Sequence, residues 1–172
     1  MKQERAIALA GSGAFLLVAP GTVAVVVPWL VTRWRGGPPL LGLAPLAALG
    51  WALALLGSVG LFDSFRRFAV EGLGTPAPVH PPGRLVVTGL YRFVRNPMYV
   101  GVVSAVLGQA LIFGSAPLAF YAALLWLFFH VFVVAREEPA LRRRFPADYS
   151  AYCAHVGRWL PRLTPWRDAP PA

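Results

Sequence analysis

Charged residues are scarce in this chain: they make up 13% of its 172 residues, while hydrophobic residues make up 57%. Soluble globular domains carry about 25% charged residues. A soluble domain of this size cannot cover so much apolar surface, whereas a lipid bilayer can. The scarcity of charge therefore argues against a soluble protein and predicts an integral membrane protein.

Cysteine, histidine and acidic residues are also few. Cys153 is the only cysteine, which excludes an internal disulfide. The three histidines are scattered and lack Cys or acidic neighbours at ligand spacing, so we predict no metal site. The net charge of +9 would suit nucleic acid, but the arginines lie in short stretches between apolar runs. That distribution is typical of membrane flanks, and we predict no nucleic-acid partner.

Three long stretches contain no Asp, Glu, Lys or Arg: Ala6–Thr32, Gly36–Phe62 and Pro97–Ala135. Each of the first two can supply one span of about 20 residues, and the first exceeds the apolar core of a signal peptide. The third is too long for one span and contains a turn signal at Gly114–Pro117. It predicts a tight helical hairpin near Met98–Phe113 and Leu118–Ala135. We therefore predict an all-α polytopic membrane protein with about four transmembrane helices, the last two forming the hairpin.

The distribution of Lys and Arg predicts the orientation. With four spans, fourteen of the sixteen Lys and Arg residues fall on one side, and only Arg33 and Arg35 fall on the other. By the positive-inside rule, the fourteen-residue side is cytoplasmic. We therefore expect an inner or plasma membrane location, with both termini and the polar blocks in the cytoplasm. The Gly- and Pro-rich segment Glu71–Gly83 on this side predicts a loop.

A helical face follows the last apolar stretch. Leu141, Phe145, Tyr149, Tyr152 and Val156 recur at intervals of three or four residues, with the arginines largely off this face. The pattern predicts a C-terminal amphipathic helix in the membrane interface, its rings at headgroup depth, bent or split at Pro146.

The first polar block is Arg95–Tyr99, at the start of the predicted hairpin. Asn96 suits a helix N-cap and Pro97 the first helical position. One interpretation is a capped membrane helix whose arginines meet headgroups. The other is that the free N–H groups at the helix start, together with Arg95, bind an anionic group such as a carboxylate.

The second polar block is Arg136-Glu137-Glu138, directly after the last span. Acidic residues at a helix C-terminus interact unfavourably with the helix dipole, so the presence of two at this position indicates a compensating partner. They either pair with Arg136 and the Arg142–Arg144 run or hold a cationic ligand. His130 precedes Glu137 by two turns on the same face, either as a packing residue or as part of one cavity.

With both blocks described, the chain resembles the isoprenylcysteine carboxyl methyltransferase family and its relatives, the small membrane phospholipid methyltransferases. The first family motif has the form G-x-Y-R-x-x-R-[HN]-P-x-Y-x-G and matches Gly89–Gly101. The second has the form E-E-x-x-L-x-x-x-F-G-x-x-Y-x-x-Y and is followed by V-x-R-W-x-P; it matches Glu137–Pro161. Asn96 replaces a histidine, Leu90 a common proline, and Pro146 a glycine.

The resemblance implies a membrane methyltransferase that uses S-adenosylmethionine and methylates a lipid or lipid-like acceptor, such as an isoprenylcysteine carboxylate or a phospholipid amine. The resemblance covers roughly Arg84 to Pro161 and says nothing about the first two spans. Together with the apolar runs it leads us to expect a single membrane domain over 1–172, with two N-terminal spans in 1–65, a methyltransferase-like core in 84–161 and a tail in 162–172. The catalytic residues that the resemblance implies are Arg158 and Glu138. The cofactor-binding residues are Arg95, Asn96, Pro97, Tyr99, Gly101, His130, Glu137 and Glu138. Two alternatives remain: a membrane NADPH-dependent reductase-like protein, and a non-catalytic membrane accessory protein.

Overall fold

The computed structural model describes residues 18–71 and 85–167, without the side chains of 68–71. Within these ranges the chain is helical and forms no strand. Its helices are α1 (Val18–Thr32), α2 (Pro45–Glu71), α3 (Pro97–Ile112), α4 (Ala116–Arg144) and α5 (Pro146–His155), with short 3₁₀ turns at Leu40–Gly42 and Gly89–Arg92. Most of the predicted Glu71–Gly83 loop, the beginning of the first apolar run and the end of the tail lie outside the described residues.

Two of the described helices are long and apolar enough to cross a bilayer: Pro45–Arg67 within α2, and α4. The described part of α1, like α3, is apolar but shorter. Large hydrophobic side chains on the outer faces of α2 and α4 are exposed, for example Leu56 at 69% and Phe128 at 61%. Such faces suit lipid. The all-helical prediction is confirmed, while the count of four spans and the side facing the cytoplasm stay predictions.

α2 and α3 run antiparallel and touch backbone to backbone. A Cβ atom built on Gly57 would lie 2.7 Å from the carbonyl oxygen of Gly101, and one on Gly108 would lie 2.6 Å from that of Gly50. Each helix thus presents two glycines seven residues apart, on one face. Small residues permit close approach of membrane helices, which gain van der Waals packing rather than a hydrophobic driving force.

The hairpin of α3 and α4 forms as predicted. α3 ends at Ile112, Gly114 adopts a φ of +62°, and the side chain of Ser115 caps α4 by accepting a hydrogen bond from Leu118 N. The backbone N–H of Gly37 donates to Phe113 O at 2.9 Å. The loop after α1 therefore lies at the turn end of the hairpin, and the two polar blocks lie together at the opposite end.

α1 is fixed to the hairpin through a π-helical turn at Thr22–Val26. A π turn leaves backbone groups without their usual helical partners, which is costly in an apolar environment. Here Gln109 Nε2 donates to Ala24 O at 2.8 Å, and Tyr121 OH donates to Val23 O at 3.2 Å. Polar side chains of α3 and α4 thus satisfy carbonyl groups of α1 and hold it in place.

Candidate functional site

Glu137 and Glu138 lie inside α4, where the helix changes its hydrogen-bonding pattern. α4 passes through a π-helical turn at Val133–Glu137 and then continues to Arg144. The premise that these acids sit at a helix C-terminus is therefore wrong, and the opposing-dipole argument does not apply to them. A π turn rotates the residues that follow it relative to those before it, and such turns are frequent at functional sites.

Glu138 is the centre of an ion-pair network. Its side chain is buried, and Arg158 grips both carboxylate oxygens, with Nε 2.5 Å from Oε1 and Nη2 3.1 Å from Oε2. Arg95 Nη1 lies 3.2 Å from Oε1, and the exposed Arg142 lies 3.9 Å from Oε2. Two-point pairing of this kind is strong and orients both partners. The pKa of Arg158 is raised by its hydrogen bonds to Glu138.

Glu137 has a different partner. Its Oε1 accepts a short hydrogen bond from the hydroxyl of Tyr99, whose ring stacks on Phe129 with centroids 4.4 Å apart. No Lys or Arg pairs with Glu137 within the described part of the chain. The carboxylate of Glu138 thus forms ion pairs with arginines, whereas the carboxyl group of Glu137 only accepts a hydrogen bond from a neutral hydroxyl.

A segment that we call the C-terminal strap, residues 157–167, runs alongside the loop that precedes α3. Arg95 N donates to Gly157 O at 2.9 Å, Arg162 N to Phe93 O at 2.9 Å, and the backbone N–H of Trp166 to Arg92 O at 3.0 Å. These backbone bonds place Arg158 beside Glu138. Nothing in the sequence indicated that the strap pairs with the loop before α3, because the bonded residues of these two segments lie more than sixty positions apart in the chain.

Asn96 occupies the N-cap position of α3, and Pro97 the first helical position, as predicted. The side chain of Asn96 makes no capping bond, however; its Nδ2 donates to Arg158 O at 3.1 Å. The predicted capping role of this side chain is therefore wrong. Asn96 instead ties the start of α3 to the strap.

Gly101 faces α2, where a Cβ atom would lie 2.7 Å from Gly57 O. Pro97 is buried at the same end of α3. Helix packing alone accounts for the identity of Gly101, and a contact of either residue with a cofactor stays a prediction.

α5 begins at Pro146, so the predicted split of the C-terminal helix is confirmed. Its aromatic face is covered by other parts of the chain. Tyr149 and Tyr152 are 3% and 2% exposed and pack with Val87 and Trp166, and Tyr152 OH donates to the backbone oxygen of Tyr91 at 2.6 Å. These rings therefore pack against the chain itself, and the predicted position of α5 in the membrane interface, with its rings at headgroup depth, stays a prediction. Burial raises the pKa of both tyrosines, which keeps their hydroxyls protonated.

Arg95 links α5 to the ion-pair network. Besides Glu138, its Nη1 contacts Cys153 Sγ at 2.7 Å and Tyr149 OH at 3.4 Å. Its Nε is buried and has no hydrogen-bond partner among the described residues. Unpartnered buried donors are rare in folded proteins and require an explanation, such as an absent ligand or water.

His130 and Glu137 have separate partners. His130 Nδ1 accepts a hydrogen bond from Trp159 Nε1 at 3.0 Å, and its ring stacks on Trp126 at 5.4 Å. The remaining ring nitrogen of a neutral His130 is then a donor. This contact anchors the strap to the spanning part of α4.

Trp159→Phe should therefore lower the free energy of unfolding by about 1 kcal/mol, since it removes one hydrogen bond and retains an aromatic ring. Unfolding in detergent, followed by circular dichroism, measures the change. Trp126→Phe is the matched control, because Trp126 contacts His130 only through its ring. An equal loss in both variants would show that ring area, rather than the hydrogen bond, anchors the strap.

The two polar blocks thus converge at one end of the α3–α4 hairpin. The sequence model of the phospholipid methyltransferase family matches residues 46–148, more than half of the chain. The chain belongs to this family. The match spans nearly all of α2, the whole hairpin and both polar blocks, and so extends further toward the N-terminus than the resemblance that begins at Arg84.

No curated protein and no solved structure shows a significant match to the chain. Membership of the phospholipid methyltransferase family, together with the apolar helices, makes the chain a membrane methyltransferase. Arg158 and the strap lie beyond the matched residues, so their importance rests on the contacts with Glu138, Arg95 and Asn96.

Proposed function

We propose that this membrane methyltransferase uses S-adenosylmethionine to methylate a lipid or lipid-like acceptor at the site formed by the two polar blocks. The observation that carries the proposal is the arrangement around Glu137. A largely enclosed carboxylate such as Glu137, which has no Lys or Arg partner among the described residues, is costly unless a positive group pairs with it. Glu137 lies beside stacked aromatic rings, which also attract cations.

The residues of the site suit both the positive groups of the cofactor and its carboxylate. S-adenosylmethionine, when bound, supplies a methyl group on a positively charged sulfur and also carries an ammonium and a carboxylate. Glu137 and the faces of Tyr99 and Phe129 suit a positive group. Arg95, whose buried Nε lacks a partner among the described residues, suits the carboxylate together with the start of α3.

Glu138 and Arg158 are suited to a different task. Arg158 donates hydrogen bonds from its Nε and Nη2 to Glu138. The third guanidinium nitrogen of Arg158, Nη1, makes no hydrogen bond within the described part of the chain. We assign this nitrogen to the anionic end of the acceptor. Methyl transfer needs alignment of the two reacting groups more than a covalent nucleophile, and a guanidinium fixed at two points provides alignment.

The proposed acceptor is lipophilic, since the outer faces of α2 and α4 expose apolar side chains along helices of spanning length. A lipid can approach such a site laterally, from the bilayer. A phospholipid amine and a prenylated carboxylate both satisfy this description. We further propose that the site faces the cytoplasm, because the end of the bundle that carries it also carries most of the arginines.

Calorimetry on the detergent-purified protein tests the cofactor. We expect S-adenosylmethionine to bind, and Glu137→Gln to weaken its binding about tenfold, equivalent to about 1.4 kcal/mol. Asp148→Asn is the matched control: it removes one negative charge from an exposed position on α5 and should leave binding unchanged. A heat of binding with NADPH, and none with S-adenosylmethionine, would instead favour the reductase-like alternative. The absence of a heat of binding with both compounds would favour a non-catalytic accessory protein.

Transfer of labelled methyl groups to membrane extracts, in sealed vesicles, tests the acceptor and the orientation. The charged cofactor does not cross a bilayer freely, so added cofactor should react only in vesicles whose cytoplasmic face is outward. Label in the lipid fraction is the expected result. Label confined to water-soluble products would contradict a lipophilic acceptor.

A further inference from the structure

A cavity of about 740 Å³ lies outside the site described above. It is enclosed by the end of α2, the segment 87–93 and the end of the strap, and its charged lining residues are Asp63, Arg67, Arg92 and Arg167. None of the residues that surround Glu137 or Glu138 lines it. The cavity is large enough for a small ligand or a lipid headgroup.

The charge of the cavity is positive. Its lining holds three arginines and one aspartate, and that aspartate is already engaged within α2: Arg67 Nε lies 2.8 Å from Asp63 Oδ2, and Arg66 Nη2 lies 3.4 Å from Asp63 Oδ1. Neither Arg92 nor Arg167 has a carboxylate partner in the described ranges 18–71 and 85–167. Within the part of the chain that the structure describes, the guanidinium groups of Arg92 and Arg167 therefore border the cavity without a carboxylate paired to them.

Arg92 is held in position before any ligand arrives. Its Nε donates to Trp166 O at 2.5 Å, and the backbone N–H of Trp166 donates back to Arg92 O at 3.0 Å. This reciprocal pair orients the guanidinium group while leaving its two terminal nitrogens available. An arginine fixed in this way loses less conformational entropy when it binds an anion.

We propose that this cavity binds the phosphate group of an anionic molecule, separately from the site of methyl transfer. Planar guanidinium groups match the oxygens of a phosphate in pairs, whereas a cationic ligand would be repelled by Arg92 and Arg167. The phosphate belongs either to a lipid headgroup or to a soluble phosphate compound. The inference needs neither the cofactor nor the acceptor proposed above.

Calorimetry in a neutral detergent, without cofactor, tests the inference with three probes. These are dioctanoylphosphatidylglycerol, which carries the phosphate on short chains, dioctanoylglycerol, which has the same chains without phosphate, and inorganic phosphate. We expect the phosphatidylglycerol to bind and dioctanoylglycerol not to bind. Arg167→Gln should weaken the binding about fivefold and the Arg92→Gln, Arg167→Gln double variant more than tenfold, with the loss smaller at high salt.

Arg143→Gln is the matched control, because it removes an exposed arginine from α4 without touching the cavity. Arg92 also contacts the strap, so the single variant Arg167→Gln keeps the test valid if the double variant unfolds. Binding of inorganic phosphate with the same sensitivity to Arg167→Gln would assign the cavity to soluble phosphates, and its absence would assign the cavity to lipid headgroups. Equal binding of dioctanoylglycerol, or an equal loss in Arg143→Gln, would overturn the proposal.

Discussion

Glu138→Gln should lower kcat/KM for methyl transfer about a hundredfold. The amide keeps the size of the side chain but removes the charge that Arg158 and Arg95 both contact. Arg95 is 10% exposed at its side chain and would remain buried without a counter-ion, which costs about 3 kcal/mol when a buried pair is broken. A loss of that size in transition-state alignment corresponds to about a hundredfold in rate. Steady-state assays with labelled cofactor measure it.

A double-mutant cycle separates alignment from general damage. If Glu138 acts by holding Arg158, the double variant Glu138→Gln, Arg158→Gln should be little slower than either single variant. We also expect Glu138→Gln to weaken cofactor binding at least about tenfold, by calorimetry on the same preparation. Wild-type affinity and wild-type rate in this variant, with normal folding by circular dichroism, would remove Glu138 from the site.

The parts of the fold that sequence reasoning predicted depend on local signals. Gly114 and Ser115 predicted the hairpin turn, and Pro146 the break before α5, because each residue acts through its own backbone geometry or its own cap. The meeting of the two polar blocks follows from the hairpin. Once α3 and α4 are antiparallel, residues before the first helix and residues late in the second must share one end.

The parts that it missed depend on contacts between distant segments. The π turn at Val133–Glu137 has no characteristic amino-acid composition, and it places the two acids inside α4 where a helix end was expected. The pairing of Glu138 with Arg158 requires the strap, whose backbone bonds to the loop before α3 leave no trace in the sequence. The tyrosine face of α5 was correctly identified as apolar, but periodicity cannot distinguish burial against protein from burial against lipid.

The two adjacent acids therefore have different environments despite identical chemistry. Glu138 contacts arginines, whereas Glu137 accepts a hydrogen bond from a hydroxyl and has no Lys or Arg partner among the described residues. The π turn ends at Glu137, so one residue completes the altered turn and the next begins a regular helix. This difference predicts that Glu137→Gln acts mainly through cofactor affinity, whereas Glu138→Gln lowers the rate of methyl transfer as well as the affinity.

The second large effect concerns the contact of α2 with α3. Gly57→Ala should lower the free energy of unfolding by about 2 kcal/mol, because its Cβ would lie 2.7 Å from Gly101 O and 2.8 Å from Ala105 N. Backbone atoms cannot rotate away, so the two helices must separate. Separation would also move α3, which begins at the proposed site of methyl transfer, and methyl transfer should fall with stability. Unfolding of the detergent-purified protein, followed by circular dichroism, measures the first effect.

Gly60→Ala is the control, on the same helix and three residues away. Its Cβ would lie 3.4 Å from the end of the Leu90 side chain, which is an ordinary contact with an atom that can move. Alanine also favours a helix over glycine by about 1 kcal/mol, so this variant should be as stable as the wild type or more stable. Replacement by alanine should therefore lower the free energy of unfolding at Gly57 but not at Gly60, and destabilisation of equal size at both would contradict a specific backbone contact at Gly57. The close contact between the glycine faces of α2 and α3 therefore stabilises the hairpin that contains Glu137 and Glu138.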